Sequence, residues 1–439
     1  MRSLVIGLGV AGESAARQMA ARGFDVTVVE EHPSDASRAR AAALADVRIV
    51  DAPTEAALDA LVDAAELLVP SPPVPYAHPA IQRALRRPIP VWTEFELAAR
   101  WSEVPMVAIT GTDGKTTVTT LVEQMLLASG LRTVAVGNND TPLVDVLDRE
   151  LDVIVVEASS FRLQFIETFR PKVGVWLNLA PDHLDWHGSM EHYGAAKARI
   201  WENQTPDDLA VANAEDAGVM RYVRKAHSRL ETFGFKIGDW SVQGNRLVQP
   251  DSDVLMKTDE LWRALPHDCT NYLAAAAAAV GAGANLDGVR AALRAFRGLP
   301  HRVSLVGDHK GVRWYDDSKA TGPNAVTTAI RGFDSVVLIA GGRNKGLDLS
   351  PLADEIARVA AVVAIGESAP LVTDVFAGRV PVATATSMDD AVARAAAFAR
   401  RGDAVLLSPG CASFDWYSSY AERGDDFARA VREHIGSVS

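Results

Sequence analysis

Short runs of apolar, often β-branched residues alternate with segments of helical periodicity along the whole chain. Seven runs are especially clear, and they cover residues 3–7, 25–30, 106–110, 152–157, 173–177, 335–340 and 404–407. Near-continuous hydrophobicity within such a run is typical of a parallel strand that is buried on both faces. Alternation of these strands with helical segments predicts α/β domains that are built on doubly wound sheets.

Two breaks in this pattern divide the 439 residues. A proline-rich stretch at 70–75 and a short segment at 88–92 precede a fresh strand at 106. The second break, at 298–300, follows the helical pattern of 286–296. Because a domain usually has about 100–200 residues, we expect three domains, which cover 1–93, 94–298 and 299–439.

Composition and charge narrow the class of protein. Apolar residues make up 48% of the chain and the formal net charge is −12, so neither nucleic acid nor an anionic membrane is an expected partner. The most apolar internal stretch, 273–280, is mostly alanine and too short to cross a bilayer. Three glycines break the apolar N-terminus, which argues against a signal peptide. Cys269 and Cys411 form no C-x-x-C motif, so we expect a reducing, cytoplasmic location.

A G-x-G-x-x-G pattern lies between the first strand and the first helical segment. Gly7, Gly9 and Gly12 form it, and Glu30 ends the next strand, 18 residues after Gly12. Glycines here let a backbone loop approach a phosphate at a helix N-terminus, as in dinucleotide-binding folds. The motif alone does not distinguish NAD from another nucleotide-bearing ligand, and glycines that only pack a helix on a strand remain an alternative.

A second glycine loop follows the strand at 106–110 and opens a helix. It comprises Gly111, Thr112, Asp113, Gly114, Lys115, Thr116 and Thr117. Backbone amides of such a loop bind phosphates, the lysine neutralises phosphate oxygens and the Thr116 hydroxyl holds Mg²⁺. Ile109 stands where the standard P-loop spacing requires glycine, so this loop is a shorter variant.

Three further residues in this region carry candidate chemistry. Glu157 ends the strand at 152–157, His183 lies in the segment 178–185 after another strand, and Lys197 lies on a predicted helix. Strand ends are where open α/β sheets bind ligands. Taken singly, however, the three have ordinary interpretations as a solvated charge, a structural histidine and a surface lysine.

Together with the G-T-x-G-K-T loop, these residues closely resemble the central domain of the Mur ligase family. The resemblance implies a Rossmann-like N-terminal domain, a central P-loop ATPase-type domain and a Rossmann-like C-terminal domain. It implies ATP, two Mg²⁺ sites formed by Thr116, Glu157, His183 and Lys197, and a carbamylated Lys197. Catalytic roles then fall to Lys115, His183 and Lys197. Asn271 matches the family's adenine-binding pattern, in which Asp268 replaces the first asparagine.

The C-terminal third resembles the D-glutamate-adding branch of that family through the segments 298–302, 316–321, 341–345, 407–415 and 423–427. This resemblance implies that Arg302 and Asp317 face the nucleotide. It implies that Lys319, Thr321, Lys345, Ser413 and Tyr420 bind substrate near the amino acid. The remaining residues implied to bind substrate are Gly7, Gly9, Gly12, Glu30, Asn138, Ser159 and Arg162, and Arg162 is a candidate partner for a pyrophosphate.

The resemblance implies ADP-forming ligation of D-glutamate to UDP-N-acetylmuramoyl-L-alanine through an acyl phosphate, in peptidoglycan biosynthesis. We expect the protein to be a cytoplasmic monomer. Departures from the family pattern at Asp113, Asp140, Arg162 and Gly322 leave alternatives open. One is a related ligase with another acceptor, such as L-glutamate, another muropeptide or folate. The others are an NAD-binding oxidoreductase and a non-catalytic relative.

Overall fold

Four parallel strands form the first sheet, in the order β3-β2-β1-β4. They are β1 (Arg2–Ile6), β2 (Asp25–Glu30), β3 (Arg48–Asp51) and β4 (Leu67–Pro70). The helices of this region are α1 (Val10–Ala21), α2 (Asp35–Ala42), α3 (Glu55–Ala64) and α4 (Pro79–Leu85), followed by α5 (Glu94–Trp101). The computed structural model describes residues 1–138 and 141–437, so Asp140 lies outside the described residues.

Six parallel strands form the second sheet, in the order β10-β9-β8-β5-β7-β6. They are β5 (Met106–Thr110), β6 (Thr133–Gly137), β7 (Val153–Glu157), β8 (Val173–Trp176), β9 (Leu209–Asn213) and β10 (Arg229–Phe233). Its helices are α6 (Lys115–Ala128), α7 (Ser160–Leu163), α8 (Leu184–His187), α9 (Met190–Ala198), α10 (Ala217–Val223), α11 (Pro266–Gly281) and α12 (Leu286–Ala295). Because β5 lies between β7 and β8, the loops after these three strands meet at one edge of the sheet.

Three short antiparallel strands form a small third sheet, which consists of β11 (Ser241–Gln243), β12 (Arg246–Val248) and β13 (Val254–Lys257). The fourth sheet has the order β14-β15-β19-β16-β17-β18, and only its β14–β15 pair is antiparallel. Its strands are β14 (Ser304–His309), β15 (Val312–Asp316), β16 (Val336–Gly341), β17 (Val359–Ile365), β18 (Val382–Thr384) and β19 (Ala404–Gly410). The remaining α-helices are α13 (Pro323–Ile330), α14 (Ala369–Phe376), α15 (Met388–Phe398) and α16 (Tyr420–Ser437).

Strand β16 shows why an apolar run in the sequence predicts a buried strand. All six of its residues are buried. Val336, Leu338 and Ala340 join the core on one face of the sheet, while Val337 and Ile339 join the core on the other. A strand with helices on both faces therefore has no position for a polar side chain. The α/β prediction is confirmed, and each of the seven predicted strands is present to within three residues at either end.

Two compact units account for the contacts within the chain. One contains 1–179, 183–261 and 270–295, and the other contains 180–182, 262–269 and 296–439. The first three sheets belong to the first unit and the fourth sheet to the second. The division into three domains at 93 and 298 stays a prediction.

Two other sequence expectations concern helices and thiols. No helix within the described ranges combines the length and apolarity that a membrane span requires.

Cys269 and Cys411 are both buried, free thiols. Burial raises the pKa of Cys269 to about 12 and also raises the pKa of Cys411 above its usual range.

A buried carboxylate attaches α5 to the connection between α7 and β8. Glu96 Oε2 accepts hydrogen bonds from the backbone amides of residues 167, 168 and 169, at 2.7, 2.7 and 3.1 Å. Its Oε1 accepts from the Thr168 hydroxyl at 2.6 Å and pairs with Arg100 at 2.7 Å. Burial alone favours the protonated form, but the Thr168 hydroxyl and the three amides outweigh it and hold the pKa of Glu96 below its usual range.

We expect Glu96→Gln to lower the urea midpoint at pH 7, because an amide nitrogen would face these donors at a cost of roughly 2 kcal/mol. The stability that ionised Glu96 provides is full above its unfolded pKa and is lost as the pH falls through the depressed folded pKa. The difference between Glu96→Gln and the parent should therefore shrink below about pH 4.5. Glu202→Gln, which removes a half-exposed ion pair with Arg199, is the control and should change little. A Glu96→Gln effect that is independent of pH would contradict this account.

Candidate active site

The glycine loop after β1 needs its glycines for close packing. Gly7 has a positive φ of 87°, and a Cβ on Gly12 would lie 2.1 Å from the Gly7 carbonyl oxygen. Gly9 is the N-cap residue of α1. Glu30 lies at the end of β2, and its Oε2 accepts a hydrogen bond from the Leu8 amide at 2.9 Å. The four predicted residues are therefore brought together, and their ligand stays a prediction.

The phosphate-type loop connects the end of β5 to the start of α6. Gly114 has a φ of +84°, and a Cβ there would lie 2.9 Å from Asn271 Oδ1, so two of the predicted nucleotide-binding residues are adjacent. Lys115 Nζ donates to the carbonyl oxygens of Gly111 at 2.9 Å and Thr112 at 2.8 Å. The lysine head therefore lies against the backbone of the loop whose ligand it is predicted to neutralise.

Asn178 fixes the conformation of this loop, although no individual role was predicted for it. Its Oδ1 accepts from the amides of Thr112 at 2.9 Å and Asp113 at 2.8 Å, and its Nδ2 donates to the Asp113 carbonyl at 3.1 Å. Thr116 and Thr117, the last two residues of the predicted phosphate-binding motif, lie in the first turn of α6. A single side chain from the end of the neighbouring strand thus holds three backbone groups.

Lys197 reaches the same loop from α9. It is buried, its Nζ donates to the Gly111 carbonyl oxygen at 2.7 Å, and it lies 4.5 Å from the centroid of the Tyr193 ring. The Gly111 oxygen therefore accepts hydrogen bonds from both Lys115 and Lys197. A helical lysine, which would ordinarily be a surface residue, is here part of the candidate site.

Glu157 ends β7, and His183 lies in the connection from β8 to α8, on the other side of β5 in the strand order. Glu157 is buried, and its Oε1 accepts from Asn138 Nδ2 at 3.1 Å. Its Oε2 is buried and has no hydrogen-bond partner among residues 1–138 and 141–437. His183 directly precedes α8 with a φ of +53°, and its ring lies edge-on to Phe161 with centroids 4.8 Å apart.

The donor set fits a hard cation. A buried carboxylate oxygen without a hydrogen-bond donor is costly unless something else, such as a metal ion, balances it. Within the described part of the chain no group of three His, Cys, Asp or Glu side chains clusters as a metal site. Glu157 and His183 would therefore need further oxygen ligands, for which Thr116 and a modified Lys197 are the predicted sources.

Arg162 is buried and engaged with other protein groups. Its Nε pairs with Glu94 Oε1 at 2.7 Å, and its Nη1 donates to Asn138 Oδ1 at 3.0 Å. Ser159 is the N-cap of α7, and its hydroxyl accepts from the Arg162 amide at 3.4 Å. Burial raises the pKa of Glu94, although the neighbouring guanidinium opposes that shift. The predicted contact with a pyrophosphate stays a prediction, and Glu94 is a partner that the sequence did not indicate.

His187 is a third residue, after Asn178 and Glu94, that sequence reasoning missed. It is buried, and its Nε2 lies 2.9 Å from the Ser160 hydroxyl. Burial, followed by the nearby charges of His192, Lys197 and His183, lowers its pKa to about 3. The imidazole is therefore neutral at pH 7, and the only sequence signal was its proximity to His183.

In the second unit, Asp268 and Asp317 are both buried. Asp268 forms a bidentate pair with Arg263, at 2.6 and 2.7 Å. Asp317 Oδ2 accepts from the Ser408 hydroxyl at 2.7 Å. Burial raises the pKa of Asp317 to about 7, although Ser408 and then Arg302 oppose the shift. Both aspartates are thus satisfied by protein groups, and their nucleotide contacts stay predictions.

The predicted amino-acid-binding residues of this unit lie on two sets of loops. Lys319 Nζ lies 3.7 Å from the centroid of the Tyr420 ring, and Thr321 follows it by two residues. Lys345 is exposed after β16 and Ser413 is buried after β19. Backbone hydrogen bonds of 2.9 and 3.0 Å between residues 343 and 412 hold these last two loops together.

Comparison with known proteins identifies the family of the chain. Three family models match the chain: a Mur ligase MurD-like N-terminal domain over 1–93, a Mur ligase middle domain over 109–279 and a Mur ligase glutamate ligase domain over 301–411. A UDP-N-acetylmuramoylalanine–D-glutamate ligase of Frankia casuarinae is 42% identical, over 99% of this chain and 94% of that protein. The enzyme of the same name from Desulfosudis oleivorans is also 42% identical, over 98% and 96%.

The chain belongs to the Mur ligase family.

Solved Mur ligase structures support the fold assignment. A MurF ligase of Thermotoga maritima in complex with ADP gives a TM-score of 0.63 at 16% identity, over 100% of this chain and 96% of that one. A MurF of Acinetobacter baumannii also gives 0.63, at 17% identity over 98% and 90%. At this identity the likeness concerns the fold alone. Mur ligase membership nevertheless favours the ligase interpretation of the first glycine loop over the oxidoreductase alternative.

We expect Asn178→Ala to weaken binding of a non-hydrolysable ATP analogue about tenfold in calorimetry, because the loop loses its clamp on two amides. Asn203→Ala is the matched control. Asn203 Nδ2 donates to the carbonyl oxygens of residues 167 and 169 at 2.9 and 3.1 Å, so it also holds backbone groups of this unit, but none of the loop 111–117. Equal affinity in both variants would show that Asn178 does not organise the nucleotide site.

Proposed function

We propose that this Mur ligase joins D-glutamate to UDP-N-acetylmuramoyl-L-alanine, with ATP converted to ADP and phosphate, in the biosynthesis of peptidoglycan. The near full-length identity of 42% to two enzymes with that named activity carries the proposal. The glycine loop at 111–114, Lys115 and the carboxylate of Glu157 form a site that suits a nucleoside triphosphate with its metal.

Each region of the chain has a role in this proposal. Residues 1–93 bind the UDP-sugar, with the loop of Gly7, Gly9 and Gly12 beside a phosphate. Residues 94–298 bind ATP and metal, and residues 299–439 bind the amino acid. We also infer a cytoplasmic monomer, for which the absence of a disulfide among the described residues and the acidic composition give general support.

The chemistry requires charge neutralisation and orientation. The γ-phosphoryl group moves to the carboxylate of the UDP-linked substrate, which gives an acyl phosphate and ADP. The amine of D-glutamate then attacks the acyl carbon, an amide bond forms and phosphate leaves. Lys115 and the loop amides neutralise the phosphoryl oxygens as charge shifts between them. Mg²⁺, when bound, supplies further positive charge at these oxygens, and Thr116, Glu157, His183 and carbamylated Lys197 would hold its two ions.

The environment of Lys197 supports the proposed carbamate. Two lysine ammonium groups that hydrogen-bond to the Gly111 carbonyl oxygen repel each other in a buried setting. Loss of one proton from the Lys197 ammonium gives the neutral amine. Its attack on CO₂ forms an N–C bond and releases a second proton, so that an anion replaces the cation. The resulting carboxylate would be attracted to Lys115 and would provide the oxygen that a hard metal requires.

The decisive activity measurement is phosphate release with Mg-ATP and UDP-N-acetylmuramoyl-L-alanine. We expect release with D-glutamate, and none with L-glutamate or without an amino acid. Release with L-glutamate alone would retain the reaction but overturn the substrate. No release with any acceptor would favour the non-catalytic alternative.

The carbamate can be tested separately. After incubation with ¹³C-bicarbonate, the parent protein should show one carbamate resonance by ¹³C NMR that Lys197→Met lacks. Lys225→Met removes another lysine of the same unit and should retain it. A parent spectrum without that resonance at neutral pH, with Mg²⁺ present, would exclude a stable carbamate.

A further inference from the structure

Four side chains form a continuous network from the start of α5 to Glu157. Glu94 Oε1 accepts from Arg162 Nε at 2.7 Å, and Arg162 Nη1 donates to Asn138 Oδ1 at 3.0 Å. Asn138 Nδ2 then donates to Glu157 Oε1 at 3.1 Å. We call these four residues the Glu94–Glu157 network. It ends at the carboxylate whose other oxygen, Oε2, has no hydrogen-bond partner among the described residues.

The chemistry of arginine gives this network a direction. A guanidinium carries only donors, so the atom of Asn138 that faces Arg162 has to be Oδ1. The amide group therefore turns Nδ2 towards Glu157, where it can only donate. With a side chain of mixed character at 162, the amide could face either way. Arg162 thus ensures that Asn138 presents a donor to Glu157, whose Oε1 is hydrogen-bonded and whose Oε2 is left for another ligand.

The far end of the network is fixed in the protein. The side chain of Glu94 is 2% exposed and that of Arg162 is 9% exposed. Glu94 Oε2 also accepts from the Leu143 amide at 3.0 Å, so both carboxylate oxygens are occupied. A buried, doubly held carboxylate leaves the guanidinium little freedom, and this rigidity extends to Asn138 and Glu157.

We propose that Arg162 is a positioning residue for the metal, which orients Asn138 so that Glu157 presents Oε2 as the metal-binding atom. The inference rests on the proposed function, in which Glu157 is a metal ligand. Arg162 need not touch ATP, the metal or the UDP-linked substrate for this role. This positioning role differs from the pyrophosphate contact predicted from the sequence, because it does not require the UDP-linked substrate to be bound.

The test is Mn²⁺ binding, measured by electron paramagnetic resonance with a non-hydrolysable ATP analogue and without the UDP-linked substrate. Arg162→Met should weaken Mn²⁺ binding by up to about tenfold, the lower end of the effect of losing a metal ligand's own partner, because Asn138 is retained but loses the group that orients it. Arg170→Met is the matched control. It removes an Arg–Asp pair of 2.6 Å with buried Asp208 in the same unit, outside the network, and should leave Mn²⁺ affinity unchanged.

A second variant separates positioning from stability, because Arg162→Met leaves Glu94 buried without its cation. Glu94→Gln combined with Arg162→Met removes both charges, so the thermal midpoint should recover towards that of the parent. The positioning role requires Mn²⁺ affinity to stay reduced in this double variant. Recovery of affinity together with stability would overturn the proposal and leave Arg162 a merely structural residue.

The same titration distinguishes failure of the proposed metal site from failure of the positioning role alone. If the parent protein binds no Mn²⁺ with the ATP analogue, the proposed metal site fails, and the positioning role fails with it. If the parent binds Mn²⁺ and Arg162→Met binds it equally well, only the positioning role fails.

Discussion

The carbonyl oxygen of Gly111 accepts hydrogen bonds from two lysine side chains, and the architecture of the candidate site depends on this contact. It joins the glycine loop, the first turn of α6 and the buried face of α9 at one atom. Two cations at one acceptor repel each other, and negative charge close by offsets that repulsion. A nucleotide, a metal-bound carboxylate and a modified lysine are three ways to supply it, and the proposed function uses all three.

The sheets show which parts of the fold can be predicted from sequence. A strand covered on both faces must be apolar throughout, as β16 is. The bounds of such strands could therefore be predicted from the sequence to within a few residues. The strands β11 to β13 have three or four residues each and include polar positions, so no comparable signal exists for them. The antiparallel direction of β14 was also missed. Its mixture of half-buried and exposed residues is typical of an edge strand, and strand direction is set by its pairing with β15.

The candidate site likewise contains residues that can be predicted from the sequence and residues that cannot. The glycine loop was predictable because phosphate binding requires a fixed local spacing of glycine, lysine and threonine. The roles of Asn178 and Glu94 were not predictable, since each side chain binds residues that lie 65–68 positions away in the sequence. Lys197 shows an intermediate case, in which family resemblance indicated a residue that composition and periodicity would have assigned to the surface. Long-range partners of motif residues therefore remain the part that only the folded chain reveals.

The two buried thiols have a practical consequence. The thiolate is the nucleophilic form of cysteine, and burial holds the pKa of both native thiols above its usual range. Neither Cys269 nor Cys411 should react readily with maleimides at neutral pH while the chain is folded. The native sequence is therefore a suitable background for attaching fluorophores or spin labels at introduced surface cysteines, without prior removal of its own.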